Sequence, residues 1–312
     1  MNIELNKLEA LRQCKYAYNE RLQAYVSDNL YMSVVATNAC QCKCPYCINS
    51  LTDRTLSLPI DKAKENIKRA VEEFGVQETV ILGGEPTLYP HLLELIAALR
   101  EAGLRYFGLT TNGIKLKDHD FLEALVKSDI DFLNVSIHNN GEFLTKAEMR
   151  SVYIDFVDMR RHGQKLRINT NVWRGNHDNP TDLLNWIEKM SYCCDEMRVS
   201  NIIRKDGFSV NADAVKEAED MYMRDEEYER LFDEVMLCYQ KAGYSIIHNP
   251  AALGFVNYYL IPTRTPIIIN WNIDSRVSDQ VCENDVGNRH INTIKLLVNG
   301  DLSLSWNTSN RI

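Results

Sequence analysis

From about residue 30 onward, short runs of β-branched and aromatic residues alternate with stretches whose apolar positions recur every three to four residues. That rhythm predicts βαβ units feeding a parallel sheet. The first strand is expected over Leu30–Thr37, followed by a helix over Asp61–Phe74. Ile67, Val71 and Phe74 share one stripe of that helix, and Gly75 is its stop. Strands follow over Thr79–Leu82, Tyr106–Thr111, Phe132–His138, Leu166–Trp173 and Met197–Ile203. Between them the helical stripes fall near Pro90–Ala102 and Asp118–Lys127, then in a segment opened by the capping box Thr145/Glu148 and closed by Gly163. Two more helices are expected, from Pro180 to about Tyr192 and near Glu226–Ala242.

This makes six β/α units over residues 30–243, preceded by a helical lead-in over 1–29. Beyond Tyr244 the rhythm changes. Ile291–Val298 and Asp301–Trp306 flank Asn299-Gly300, a strong hairpin signal. Residues 244–312 read as a cap or extension packed on the preceding domain.

Composition narrows the class. A chain of 312 residues, 45% hydrophobic and 25% charged, suits a globular protein with a large core. A net charge of -8 without a basic tract disfavours extended nucleic acid as a partner. No apolar run reaches the roughly 20 residues that span a bilayer. The charged N-terminus lacks a signal-peptide core, so a cytoplasmic protein with no membrane partner is expected.

In a reducing compartment, clustered thiols point to metal or redox chemistry before disulfides. Nine cysteines are present, and four fall between positions 40 and 47. Cys14, Cys193, Cys194, Cys238 and Cys282 are scattered, and most of them read as small buried apolar residues. Cys40, Cys44 and Cys47 stand as C-x3-C-x2-C directly after the first strand, with Cys42 as a spacer. Thiolates are the ligands of iron–sulfur clusters, and three of them on a four-iron cubane leave one iron open. Structural zinc wants four ligands, commonly as two separated pairs, and no second C-x2-C exists. A redox C-x-x-C belongs in a thioredoxin-like setting that this is not. These alternatives remain open on the cysteines alone.

The loop, with Tyr46 just before its last cysteine, resembles the signature of the radical S-adenosylmethionine (radical SAM) superfamily. Gly83-Gly84-Glu85-Pro86 after the second strand is similar to that family's GGEP motif, and Thr110-Thr111-Asn112-Gly113 after the third also matches members. The likeness runs over roughly residues 30–205. It implies an α/β fold, a partial (β/α)6 TIM-like barrel with a C-terminal extension that contains a β-hairpin. It also implies a [4Fe–4S] cluster on Cys40, Cys44 and Cys47, with S-adenosylmethionine on the open iron. Reductive cleavage to methionine and a 5′-deoxyadenosyl radical would follow, and then hydrogen abstraction from a substrate. Gly83, Gly84, Glu85, Thr111, Asn112, Ser136 and Asn169 are the expected cofactor cradle. The two glycines let a backbone approach its ligand closely.

Alternation places Asn134, Ser136 and His138 on one face of the fourth strand, and Arg167, Asn169 and Asn171 on one face of the fifth. Opposite faces are apolar, so these side chains should line the barrel, where unpaired polar groups are costly unless a ligand meets them. A satisfied internal network is the other reading. His138, Asn171 and Arg204 are the candidate lumen or substrate residues. Ser200, Ile202 and Arg204 of the sixth strand are weaker candidates for adenine or substrate contacts. Arg167, Arg198 and Arg204 could meet a phosphate, but pairing with carboxylates is the stronger expectation. His91, His119 and His177 read as surface residues.

Cys282 and the following hairpin are reminiscent of a fragment of an auxiliary-cluster extension, yet Ser305-Trp306 stands where a cysteine would close it. One cluster is expected. A small-molecule substrate, nucleotide- or sugar-like, is favoured over a peptide, with flavodoxin or ferredoxin as electron donor. A non-catalytic iron–sulfur or zinc sensor is the rival of another class.

Overall fold

The computed structural model describes residues 16–47, 52–139, 141–202, 219–250, 256–272, 281–283, 289–306 and 311–312. Thirteen strands join in one sheet: β1 Tyr16–Asn19, β2 Ala24–Thr37, β3 Glu78–Gly83, β4 Tyr106–Thr111, β5 Phe132–Ser136, β6 Lys165–Val172, β7 Glu196–Asn201, β8 Ile247–Pro250, β9 Val256–Ile261, β10 Ile267–Asn272, β11 Val281–Glu283, β12 Arg289–Leu296 and β13 Leu302–Ser303. The spatial order is β11-β12-β2-β3-β4-β5-β6-β7-β10-β9-β8, and every neighbour from β12 to β10 is parallel. This is the expected α/β partial barrel, with β2 to β7 as its six strands.

Helices α1 Ile60–Phe74, α2 Leu92–Glu101, α3 His119–Lys127, α4 Lys146–Met159 and α5 Pro180–Met190 connect successive barrel strands, and α6 Asp225–Lys241 follows β7. Their boundaries follow local signals. Gly75 ends α1 in a left-handed conformation (φ 77°), Thr145 and Glu148 cap α4 reciprocally, and Asn179-Pro180 opens α5. Leu133, Val135 and Ile168 face Leu122, Val152 and Leu183 in one continuous core. The intervening strand residues therefore point into the barrel.

The structure differs from the sequence expectation at both ends of the sheet. The helical lead-in predicted for residues 1–29 is, from Tyr16 onward, an antiparallel hairpin of β1 and β2. Ala24 and Val26 continue the alternation of Leu30, Met32, Val34 and Ala36, and all six are buried. The C-terminal segment joins the sheet itself through its described strands. Its β10 pairs with β7 and its β12 pairs with β2, so it lengthens the parallel sheet on both sides. The Asn299-Gly300 turn forms as expected between β12 and β13, with Gly300 at φ 84°. Lys62 of α1 ties it down through the Asn299 carbonyl (3.2 Å) and Asp301 (2.5 Å).

The barrel floor is filled by side chains. Gly108 on β4 has no Cβ because the Phe132 ring occupies that space. Tyr106 stacks on Phe132 with ring centroids 4.9 Å apart, and the Arg167 guanidinium lies over the same ring while pairing with Glu196. The lumen is therefore a cup open at the C-terminal ends of the strands.

Candidate functional site

The cysteine loop leaves β2 at the rim of this cup. Its base is pinned by the returning chain: Asn38 N–H donates to the Leu56 carbonyl (2.9 Å), and the Thr37 hydroxyl meets Leu56 O (3.1 Å) and Ser57 Oγ (2.9 Å). Arg54 Nη1 donates to the Cys40 carbonyl at 2.9 Å. Cys44-Pro45-Tyr46-Cys47 is a turn closed by Cys47 N–H on Cys44 O (3.1 Å). Cys40, Cys42, Cys44 and Cys47 are part-exposed at the rim, and none of them forms a disulfide among the described residues. Among the described residues, no three His, Cys, Asp or Glu side chains converge on a point fit for a single metal ion.

Burial, and then the charges of Cys40 and Cys44, push the Cys42 thiol up to about 12. Burial also pushes Cys44 up to about 11, with Glu142, Cys47 and Cys40 adding to it against a hydrogen bond from Tyr46 that lowers it. Binding to a metal deprotonates such thiols outright.

Gly83 and Gly84 sit beneath the loop. A methyl group at Gly83 would overlap the Thr37 carbonyl, and one at Gly84 would overlap the carbonyls of Asn38 and Ala39. Gly84 N–H donates to Thr37 O (2.6 Å), and Glu85 N–H to Ala39 O (2.7 Å). What these glycines admit is thus the backbone that carries Cys40. Glu85, 1% exposed, collects four hydrogen bonds. Its Oε1 accepts from Thr87 N–H (3.1 Å), Thr87 Oγ1 (2.7 Å) and Thr111 Oγ1 (2.6 Å), and Oε2 accepts from Asn112 N–H (2.7 Å). The carboxylate is a strut between the loops after β3 and β4. Asn112 then reaches Cys42 Sγ with Nδ2 (3.6 Å) and accepts from Ile114 N–H (3.0 Å).

Across the mouth, His138 is buried against Tyr46 and Trp173, with ring centroids 5.3 and 5.9 Å away. Tyr46 and Trp173 are themselves 4.7 Å apart. His138 Nδ1 accepts from Asn171 N–H (3.0 Å), and burial followed by the charge of His177 hold its pKa at about 3. It is a neutral imidazole with its remaining proton on Nε2. Asn171 Oδ1 accepts from Ser200 Oγ (2.9 Å), so this pair is satisfied internally. Ile202 packs into the Tyr46–Trp173 cluster with Tyr222. Ser136 and Asn169 face the lumen in register.

Arg204 lies outside the described residues. Arg167 pairs with Glu196, as the carboxylate expectation held. His91 and His119 are exposed, but His177 is not a surface residue: it is 8% exposed and stacks on Trp186 at 4.8 Å. Its Nε2 meets the His138 carbonyl (2.9 Å) and its Nδ1 meets Asp182 (2.8 Å), so the turn after β6 buries it. Cys193 and Cys194 are buried as expected, whereas Cys238 is exposed on α6. Cys14 lies outside the described residues.

The sequence reading missed Glu142. It accepts a hydrogen bond from Tyr46 through Oε1, while Oε2 is buried without a partner. No motif marks an acid 96 residues from the tyrosine it holds. Asn134 Oδ1 and Asn169 Oδ1 are likewise buried and unpartnered. Thiols at the rim and unmet acceptors below it are what a metallocluster with a polar ligand would satisfy. Among the described residues, no helix is long and apolar enough to cross a membrane.

Comparison with known proteins agrees with this geometry. Residues 34–187 match the family model of the Radical SAM superfamily. The GTP 3′,8-cyclase of Staphylococcus carnosus is 32% identical over 156 residues, 46% of this chain and 45% of that one. The enzyme of the same name from Psychromonas ingrahamii is 28% identical over 173 residues, 51% of this chain and 49% of that one. The chain spans about half the length of these curated relatives. SuiB from Streptococcus suis, solved with S-adenosylmethionine, superposes on 99% of this chain and 72% of its own, with a TM-score of 0.62 at 16% identity. The anSMEcpe structure, with bound AdoMet and the Cp18Cys peptide, covers 69% of this chain and 61% of its own, with a TM-score of 0.51 at 15% identity. At such identities these two structures speak for the fold. Residues 34–187, just under half of the chain, are thus similar to the Radical SAM superfamily domain.

Proposed function

We propose that Cys40, Cys44 and Cys47 hold a [4Fe–4S] cluster whose open iron takes S-adenosylmethionine, and that the substrate is a small, nucleotide- or sugar-like molecule held in the lumen. The observation that carries this is the position of three thiols at the strand-end rim, directly above a cup containing buried carboxamides without partners. The family implies the cluster and S-adenosylmethionine. When bound, they supply a one-electron cleavage that yields methionine and a 5′-deoxyadenosyl radical able to take a hydrogen atom.

The chain's own residues do the positioning. Gly83 and Gly84 let the cysteine loop seat closely on β3. Glu85 fixes Thr111 and Asn112 against that loop, and Ser136 and Asn169 offer polar contacts inside the cup. The aromatic wall of Tyr46, His138 and Trp173 excludes water from the mouth. Neutral His138 accepts from Asn171 N–H through Nδ1, keeps its proton on Nε2 as a donor and carries no charge. The cyclase names of the matched relatives support a nucleotide over a peptide. The barrel is assigned to residues 30–243 and the extension to 244–312, with a reduced flavodoxin or ferredoxin as donor and one cluster per chain.

The test is anaerobic reconstitution, followed by dithionite and S-adenosylmethionine. About four irons per chain and released 5′-deoxyadenosine are expected, and Cys44→Ala should lose both. About eight irons would reject the single cluster. A colourless protein that retains zinc would overturn the reading. Consumption of a peptide, with nucleosides untouched, would move the substrate to that other class.

A further inference from the structure

The buried carboxamide oxygens of the cup lie at two levels, and the lower one, on Asn134, has no assigned partner. Asn134 lies on β5, two residues before Ser136 and four before His138. At about 3.3 Å per residue it sits roughly 7 Å below the first and 13 Å below the level of the second. Register places Thr110 of β4 and Arg167 of β6 beside it. The Phe132 ring closes the floor two residues beneath. Asn134 is 5% exposed, yet only one edge of its amide is met, by Thr110 Oγ1 at 3.4 Å. The other edge is buried without a partner. Turning the amide by half a revolution changes which atom faces Thr110 and still leaves one edge unmet. Asn169, one layer up on the neighbouring strand, is part-exposed, and its Oδ1 is likewise buried and unpartnered. Two unmet carboxamides on one lumen face are costly in a sealed core and cost little where a ligand completes them.

Charge decides what that ligand group is. Arg167, the cation in register with Asn134, is neutralised by Glu196. At the level of Asn134 an oxyanion thus meets no uncompensated charge, whereas Arg198 stands in register with Asn169 one layer up, and the carboxamide can both donate and accept. Building on the small-molecule reading above, we infer that Asn134 recognises an uncharged polar group of the substrate. That group is a sugar hydroxyl face or a nucleobase amide edge, inserted deep in the cup with any phosphate left toward the rim.

Binding of guanosine, D-ribose and inorganic tripolyphosphate to the cluster-reconstituted enzyme tests this, together with the melting temperature of each variant. Asn134→Leu should weaken guanosine about tenfold, and its melting temperature should hold or rise, because an unmet polar edge has gone. Ribose showing the same dependence would identify the sugar as the inserted part; guanosine alone would identify the base. Asn134→Ser, which also removes the edge, covers a failure of the leucine variant to fold. The inference is overturned if wild type binds neither guanosine nor ribose, or if both variants bind them within twofold of wild type. It is also overturned if Asn134→Leu melts several degrees lower, or if tripolyphosphate is the probe whose binding the variants lose. Release of 5′-deoxyadenosine by wild type is measured on the same preparation. Its absence would sink the radical reading without touching the binding and melting comparisons.

Discussion

Replacing Glu85 tests whether its carboxylate is the strut that sets the rim. Four donors converge on it from three residues of two loops. In Glu85→Ala the two hydroxyls can rotate toward other acceptors, but the backbone N–H groups of Thr87 and Asn112 are fixed by their turns. Each buried N–H left without an acceptor costs about 1–3 kcal/mol, so the alanine variant should lose about 2–6 kcal/mol. Glu85→Gln keeps the three bonds on one oxygen and sets an amide N–H against that of Asn112. Its loss should be confined to about 1–3 kcal/mol. Urea unfolding followed by tryptophan fluorescence reads both, as a lower midpoint at an unchanged slope. An alanine variant that unfolds with wild type would refute the strut, and so would a glutamine variant as damaged as alanine.

Gly84→Ala should cost about 1–3 kcal/mol through overlap with the Asn38 and Ala39 carbonyls; because those atoms carry the cysteine loop, iron retained after desalting should fall with it. Arg167→Ala leaves Glu196 buried and unpaired, so a loss of about 3–5 kcal/mol is expected in the same urea assay. His138 is held at about 3 against an ordinary 6.5. The unfolded chain binds a proton that the folded chain refuses between those values, so this contribution is complete above pH 6.5 and drains away as pH falls. Unfolding midpoints taken from pH 7 to pH 5 should show a slope of up to about 1.4 kcal/mol per pH unit, flatter in His138→Gln.

The barrel was legible because its signals are local. Period-2 alternation in β5 and β6 assigned Asn134, Ser136, Arg167 and Asn169 to the lumen, and glycine and capping signals placed the helix ends. The cysteine spacing and the strand-end motifs located the rim. What escaped depends on partners distant in sequence. The hairpin of β1 and β2 sits in a charged segment whose apolar residues fit either period until a neighbouring strand selects one. His177 looked like a surface residue because nothing near it announces Trp186 as its stacking partner. Gly83-Gly84 suggested room for a ligand, whereas the molecule fills that room with its own Thr37–Ala39 backbone. Glu142 had no motif to betray it.

The pairing of β12 with β2 bears on the order in which the molecule comes into being. β2 carries the cysteine loop; β1 and β3 pair with one side of it, and its other side is met by Arg289–Leu296, more than 250 residues downstream. During synthesis at about 5–20 residues per second, that side of β2 waits on the order of tens of seconds for its neighbour. Over that interval the thiols extend from a strand bonded to β1 and β3 but not yet to β12. A nascent chain thus presents its cysteines on a half-built edge, and insertion of metal competes with oxidation and with mispairing of that edge until the last strands arrive.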